Sequence, residues 1–266
     1  MTFGRAVGSP VLFAQAARVP LFFFGRKVIN RPVSESLRIS GKTLGELAMP
    51  DFCARAFWVG LRLERLPFQI FPGIFSSIDA YTKKMTRLYH ARHQTLFAWL
   101  TAAGLDGAPI AVPHHTKFRV SDLENNILLT GAPDEMLRLR DGAYAILDYK
   151  TARFTNTQDH LLSLYQIQLN AYAYIAEHAG FSPVRRLALI YFEPRTDIAD
   201  SDLDALIQPD GFALRFGGNL KEIELNLNLI PPLMARARQI YDLPAPPPSD
   251  GCKNCAAFEA IIELLK

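Results

Sequence analysis

The chain has 266 residues, is 49% hydrophobic and carries a formal net charge of +3, a composition that suits one domain with its own core and excludes a broadly disordered chain. No window reaches the ~18 consecutive apolar residues of a membrane-spanning helix, so no membrane partner is expected. Three cysteines, at positions 53, 252 and 255, exclude a secreted disulfide scaffold and suit a reducing cytoplasm.

Residues 1–35 are expected to form an N-terminal arm and 36–266 a single domain. Arg5 and the apolar run ending at Ala17 have the outline of a signal peptide, but Arg18 and the run from Leu21 to Lys27 break its pattern. Gly41-Lys42-Thr43 has the tail of a phosphate-binding loop, yet Ser36 stands where that loop requires glycine. The segment therefore reads as a turn into a short helix that breaks at Pro50. After it, Cys53 lies beside Phe52, Phe57 and Trp58.

Ile78 to Leu100 reads as one long helix, with Tyr81, Met85, Leu88, Leu96 and Trp99 on its buried side. Lys83, Arg87 and His90 recur at four- and three-residue steps as a basic stripe on another face, usually solvated and able to lie along a phosphate backbone. Lys117 to Val120 and the run from Ile127 onward read as strands joined through Leu123-Glu124-Asn125-Asn126.

Gly131 to Tyr172 is the richest stretch. Asp134 sits in one apolar-alternating run, and Asp148 and Lys150 end the next, with the turn pair Asp141-Gly142 between them. Alternation along the second strand sends Asp148 and Lys150 to one face and Tyr149 to the other, and hairpin pairing can bring Asp134 to the face of the first two. Two carboxylates suit a hard divalent cation such as Mg²⁺ or Mn²⁺, and a lysine beside them can orient or deprotonate a bound water, which points to phosphodiester hydrolysis. A D-x-K triplet by itself also fits an ordinary salt bridge at a strand end. The helix that follows, from Gln158 to about Glu177, carries Leu161, Tyr165, Gln168, Tyr172 and Ile175 on one stripe. Its amide and two phenols need either a satisfied core network or a polar cleft.

The run G-A-P-D at 131–134, the run D-Y-K-T at 148–151 and Y-x-x-Q-x-x-x-Y from Tyr165 to Tyr172 together resemble the RecB-like branch of the PD-(D/E)XK nuclease superfamily, to which CRISPR-associated RecB-like nucleases are related. The resemblance covers Lys117 to Glu193. It implies that Asp134 and Asp148 hold the metal with the Tyr149 carbonyl, that Lys150 is catalytic, and that Gln168 and Tyr172 order the site and contact nucleic acid. It also implies a further metal ligand on the helix before the sheet, for which His90 and His93 stand by position. In some RecB-like nucleases an N-terminal cysteine joins a C-terminal group around an iron–sulfur cluster. Such clusters need four ligands, and Cys53, Cys252 and Cys255 are three. A zinc site completed by one of the six histidines, or reduced thiols closing the domain, are the other readings.

Downstream, Arg186 to Glu193 reads as a further strand ended by Pro194, Gly211 to Phe216 and Leu220 to Leu227 as additional strands, and Pro231-Pro232 as the opening of a helix carrying Arg236 and Arg238. The expected fold is α/β, a restriction-endonuclease-like core of helix, three strands, helix and strand, its mixed central sheet flanked by helices. The expected function is a Mg²⁺- or Mn²⁺-dependent DNA nuclease, a RecB-like exonuclease in the cytoplasm that has DNA and a helicase or recombination protein as partners. The alternatives are a catalytically silent nucleic-acid-binding subunit and a phosphohydrolase of small substrates.

Overall fold

The computed structural model describes residues 36–63, 72–152, 154 and 160–264; the arm expected over 1–35 lies outside them. In chain order the elements are β1 (Leu37–Ser40), α1 (Gly41–Gly45), α2 (Ala54–Gly60), α3 (Gly73–His93), α4 (Ala98–Ala102), β2 (Gly107–Ile110), β3 (Arg119–Asp122), β4 (Ile127–Thr130), β5 (Glu135–Leu139) and β6 (Tyr144–Lys150). There follow α5 (Leu162–His178), β7 (Val184–Pro194), α6 (Asp200–Leu203), β8 (Ile207–Gln208), β9 (Gly211–Phe212), β10 (Phe216–Ile223), α7 (Ile230–Asp242) and α8 (Lys253–Glu263).

Side-chain alternation along β6 and β7 decides the layering. Ile146, Leu187, Leu189 and Tyr191 pack with α5, α1 and α7 in one core, whereas Ala145, Leu147, Tyr149, Ala188, Ile190 and Phe192 pack with Leu96, Leu100 and Leu105 in a second core on the opposite face. Strands buried on both faces read as near-continuous apolar runs. The central sheet has the order β10-β7-β6-β5-β2. Its β6–β7 pair is parallel and its other pairs are antiparallel, so the sheet is mixed, and α5 supplies the crossover that a parallel pair requires. α1 packs closely on α5 because Gly41 and Gly45 face it: a Cβ at Gly45 would lie 2.5 Å from the Leu164 carbonyl oxygen.

The expected fold class holds, with local departures. The run from Ile127 does not continue to Asp134. β4 belongs to a separate sheet with β1 and β3, and the chain crosses to the central sheet through Gly131-Ala132-Pro133. Proline has no N–H to donate to a ladder, and Gly131 lies against the Tyr172 ring, where a Cβ would come within 2.7 Å. The first strand of the three before α5 is instead β2, which the sequence reading missed because Gly107 and Pro109 are poor strand formers. It is held at the sheet edge by β5.

The long helix is interrupted as well. Gln94 takes a left-handed conformation (φ 55°) and its N–H caps His90, which ends α3 and lets Leu96 and Leu100 turn into the second core. Tyr81, Met85 and Leu88, expected on the buried side, are 49%, 43% and 38% exposed. Thr82 and Thr86 are buried in their place, with their hydroxyls donating to the Asp79 and Thr82 carbonyls at 3.0 and 2.9 Å. Short polar residues whose hydroxyls bond to their own helix can enter a close contact that long apolar ones would overfill. Farther on, of the strands expected over Gly211–Phe216 and Leu220–Leu227, β9 pairs with β8 and β10 lies antiparallel to β7, and α7 carries the expected prolines in its first turn.

Candidate active site

The β5–β6 register pairs Glu135 with Leu147, which sets Asp134, just before β5, opposite Asp148. Asp134 Oδ2 accepts the Tyr149 N–H at 2.7 Å, so the backbone of one strand orients the carboxylate of the other. Its Oδ1 lies 2.7 Å from Lys83 Nζ, and the same ammonium lies 2.7 Å from Asp79 Oδ2. Asp148 projects to the α5 face. Its Oδ2 lies 2.5 Å from Lys150 Nζ, and its Oδ1 accepts a hydrogen bond from Gln168 Nε2 at 3.2 Å. The second N–H of that amide donates to the Tyr172 hydroxyl at 2.8 Å. Lys150 Nζ also sits 3.9 Å above the centre of the Tyr165 ring.

The structure thus brings Asp134, Asp148, Lys150, Gln168, Tyr172 and Tyr165 to one end of the central sheet, where α3 and α5 approach from opposite faces. Tyr149 points away, its ring packing edge-on against Phe192, and burial pushes its phenol upward in pKa. His90 lies one turn beyond Arg87 on α3, and its carbonyl accepts the Gln94 N–H that caps the helix. The helix rises about 1.5 Å per residue, so His90 is roughly 10 Å farther along α3 than Lys83. His93 instead packs tilted against the Tyr89 ring. The sequence reading missed Asp79, Lys83 and Arg87 as neighbours of Asp134 and Glu135. Arg87 Nε lies 3.3 Å from Glu135 Oε2, and an N–H of its guanidinium donates to the Asp134 carbonyl at 3.4 Å. The signal available was the Asp79-x-x-x-Lys83 spacing, which foretells their mutual ion pair but not its reach to another element.

Burial shapes the electrostatics. Asp148 is 4% exposed. Loss of hydration pushes its pKa up to about 6, with Lys150 pulling down and Asp134 pushing up. Burial raises Glu135 too, against the pull of Arg87, and raises Tyr172, with Asp148 adding to the shift. Lys83 is pulled down by burial and more than restored by its bonds to Asp134 and Asp79, so it remains an ammonium.

These donors fit a hard divalent cation. The set is two carboxylates and a strand-end carbonyl, all oxygen, with no competing soft ligand. A second observation agrees: Gln168 Oε1 is buried with no hydrogen-bond partner in the protein. A buried acceptor needs a donor, and a water on a bound cation would supply one beside Asp148.

A second ligand set lies elsewhere. The sulfurs of Cys53, Cys252 and Cys255 all lie within 4.8 Å of one another, with Cys53 and Cys255 3.6 Å apart. Tetrahedral zinc at Zn–S about 2.3 Å separates its sulfurs by roughly 3.8 Å, close to that pair. Burial works against the Cys53 thiolate, but N–H groups of Ser249 and Ala56 outweigh it and bring the pKa down to about 6. Cys255 is pushed up to about 12 by burial and by the neighbouring sulfurs. No fourth His, Cys, Asp or Glu joins the cluster among the described residues.

A mixed sheet, a parallel pair bridged by a helix, and two acids with a lysine at the end of the central hairpin define an α/β protein of the restriction-endonuclease-like kind. The chain belongs to the PD-(D/E)XK nuclease superfamily, whose sequence profile matches residues 53–259. Membership implies metal-dependent hydrolysis of phosphodiester bonds in nucleic acid. No curated protein matches the chain. Among solved structures, the crystal structure of SSO0001 is similar to it at 15% identity and a TM-score of 0.33, covering 80% of this chain and 81% of that one. No helix among the described residues is long and apolar enough to cross a membrane.

Proposed function

We propose that the chain is a cytoplasmic Mg²⁺- or Mn²⁺-dependent deoxyribonuclease, a RecB-like exonuclease that serves DNA repair beside a helicase or recombination partner. The observation that carries this reading is the convergence of Asp134, Asp148 and Lys150 at one sheet end, with Lys150 Nζ 2.5 Å from Asp148. Asp134, Asp148 and the Tyr149 carbonyl would hold the ion, which when bound polarises a phosphoryl oxygen and acidifies water. The Tyr149 N–H and the Gln168 amide fix the two carboxylates, so little reorganisation remains when substrate arrives. Lys150, anchored between Asp148 and the Tyr165 ring, orients the attacking water, takes its proton or faces the charge that develops on the phosphate.

A polymer suits the surroundings better than a small ester. Along α3 an open surface depression is lined by Ala80, Lys83, Lys84, Arg87, Leu88 and Ala91, and its three cations can follow a phosphate backbone. For the thiol cluster, the 3.6 Å sulfur separation supports a structural Zn²⁺.

The test is a cleavage assay in Mn²⁺ on single-stranded DNA, duplex DNA and a mononucleotide ester. Shortened DNA products that vanish in EDTA are expected. Tight DNA binding without cleavage would establish the silent-subunit reading, and turnover of the ester alone would establish the phosphohydrolase.

A further inference from the structure

The position of Lys83 is out of keeping with a solvated helix face. Asp134 has one oxygen committed to the Tyr149 N–H, and its other oxygen, the one left for a cation, is where Lys83 sits. The ammonium is 2.7 Å from Asp134 and 2.7 Å from Asp79. A single positive charge between two carboxylates is the arrangement that a divalent ion also seeks. We infer that Lys83 is a tethered competitor of the catalytic metal: its ammonium holds Asp134 until the ion displaces it, and it then swings along α3 to the phosphate backbone of the nucleic acid.

This rests on the carboxylate edge being the metal site. An ion coordinated by Asp134 Oδ1 would take an oxygen at about 2.1 Å, leaving no room for an ammonium at hydrogen-bond distance from the same lone pairs. The repulsion between the two cations would add to that exclusion. The lysine has somewhere to go. Its four-carbon stem is flexible, its side chain is 26% exposed, and it lines the open surface depression that Lys84 and Arg87 also line. Asp79, one turn back on the same helix, limits how far it can travel. Metal entry would thus turn a charge that neutralises the acids into a third charge on the basic strip. Lys83 would couple two functions: a raised metal requirement, and backbone affinity that appears only when metal is bound.

The experiment compares wild type, Lys83→Met, Lys83→Arg and Asp134→Asn, each checked for folding by thermal melting in EDTA, with Lys83→Gln as the second neutral variant should the methionine fail to fold. Calorimetric titration with Mn²⁺ is expected to show binding to Lys83→Met about tenfold tighter than to wild type, no gain for Lys83→Arg, and loss of the site in Asp134→Asn; such a tenfold gain corresponds to about 1.4 kcal/mol. Binding of a cleavage-resistant phosphorothioate single strand is then followed by anisotropy across a salt series in Mn²⁺. Losing one phosphate contact should reduce the slope of log K against log salt by about 0.7 in Lys83→Met. Equal or weaker Mn²⁺ binding by Lys83→Met, with wild type binding through Asp134, overturns this inference alone. An unchanged salt slope overturns the phosphate half. No Asp134-dependent Mn²⁺ binding in any variant overturns the metal-site reading and this inference with it.

Discussion

The chain assembles two sets of metal-type ligands, and they are built in opposite ways. At the sheet end, each oxygen of Asp134 and Asp148 already meets a nitrogen donor: the Tyr149 N–H, Lys83, Gln168 and Lys150. These oxygens are oriented by a sheet and two long helices before any cation arrives. The thiol cluster instead ties the residue before α2 to the start of α8, joining through its sulfurs chain segments far apart in sequence. The first set lies inside a core, where burial shifts its charges. The second lies between α2 and α8, where on the proposed reading a bound metal would close the domain. Removing a ligand should therefore cost chemistry at the first and stability at the second.

The largest break is expected at the acids. Asp148→Asn should lower metal-dependent DNA cleavage by about 10²–10³-fold or more and leave the fold intact. A pH series in EDTA sharpens the point. Asp148 in the fold titrates near 6 against an unfolded value near 3.9. The folded state thus binds the extra proton between those values, and wild-type stability should fall as pH rises through about 4 to 6. In Asp148→Asn that fall should flatten, as read from urea midpoints across the window. Undiminished cleavage by the variant would remove Asp148 from the chemistry.

At the thiol cluster the pattern should invert. Cys53→Ser is expected to leave cleavage within about twofold while abolishing the rise in thermal midpoint that added Zn²⁺ gives wild type. Because metal takes the thiolate and must displace the proton of Cys255, pushed up to about 12, the zinc effect should weaken steadily as pH falls and fade further below about 6, where Cys53 protonates as well. A midpoint indifferent to zinc in wild type would leave reduced thiols as the closure.

What the sequence made legible follows the same division. Spacings within one element were readable: Asp148-x-Lys150 by the two-residue period of a strand, Gln168 and Tyr172 by the helical turn, Cys252-x-x-Cys255 by its own proximity. Asp134 was readable because the Asp141-Gly142 turn ties its run to β6 within one hairpin. Contacts between elements set by topology were not. The Asp79–Lys83 spacing marks their mutual ion pair, but nothing local shows that Lys83 also reaches Asp134. The apolar pattern of Tyr81, Met85 and Leu88 pointed to a buried face, whereas the helix turns two threonines toward the protein. Helical periodicity continued through Gln94, where a single left-handed residue ends α3. The Gly-Ala-Pro step at 131–133 was absorbed into a strand, although it is the place where the chain changes sheets.

The most discriminating effect concerns Gln168, because it joins Asp148 to the body of α5. Both its N–H groups are used, on Asp148 and on Tyr172, while its buried carbonyl oxygen has no partner in the protein. An unsatisfied buried acceptor costs about 1–3 kcal/mol, so an amide serving only the core would be a poor choice there. Gln168→Leu replaces it by an apolar side chain of similar size. In EDTA the variant should melt at or above the wild-type temperature. In Mn²⁺ it should cleave DNA about 10- to 100-fold more slowly, the usual range for losing a group that orients a metal ligand, with Tyr172→Phe following in the same direction by less. The two measurements on one protein separate the roles. A stable and fully active Gln168→Leu would make the amide a packing residue, and would return the preorganisation of Asp148 to Lys150 alone.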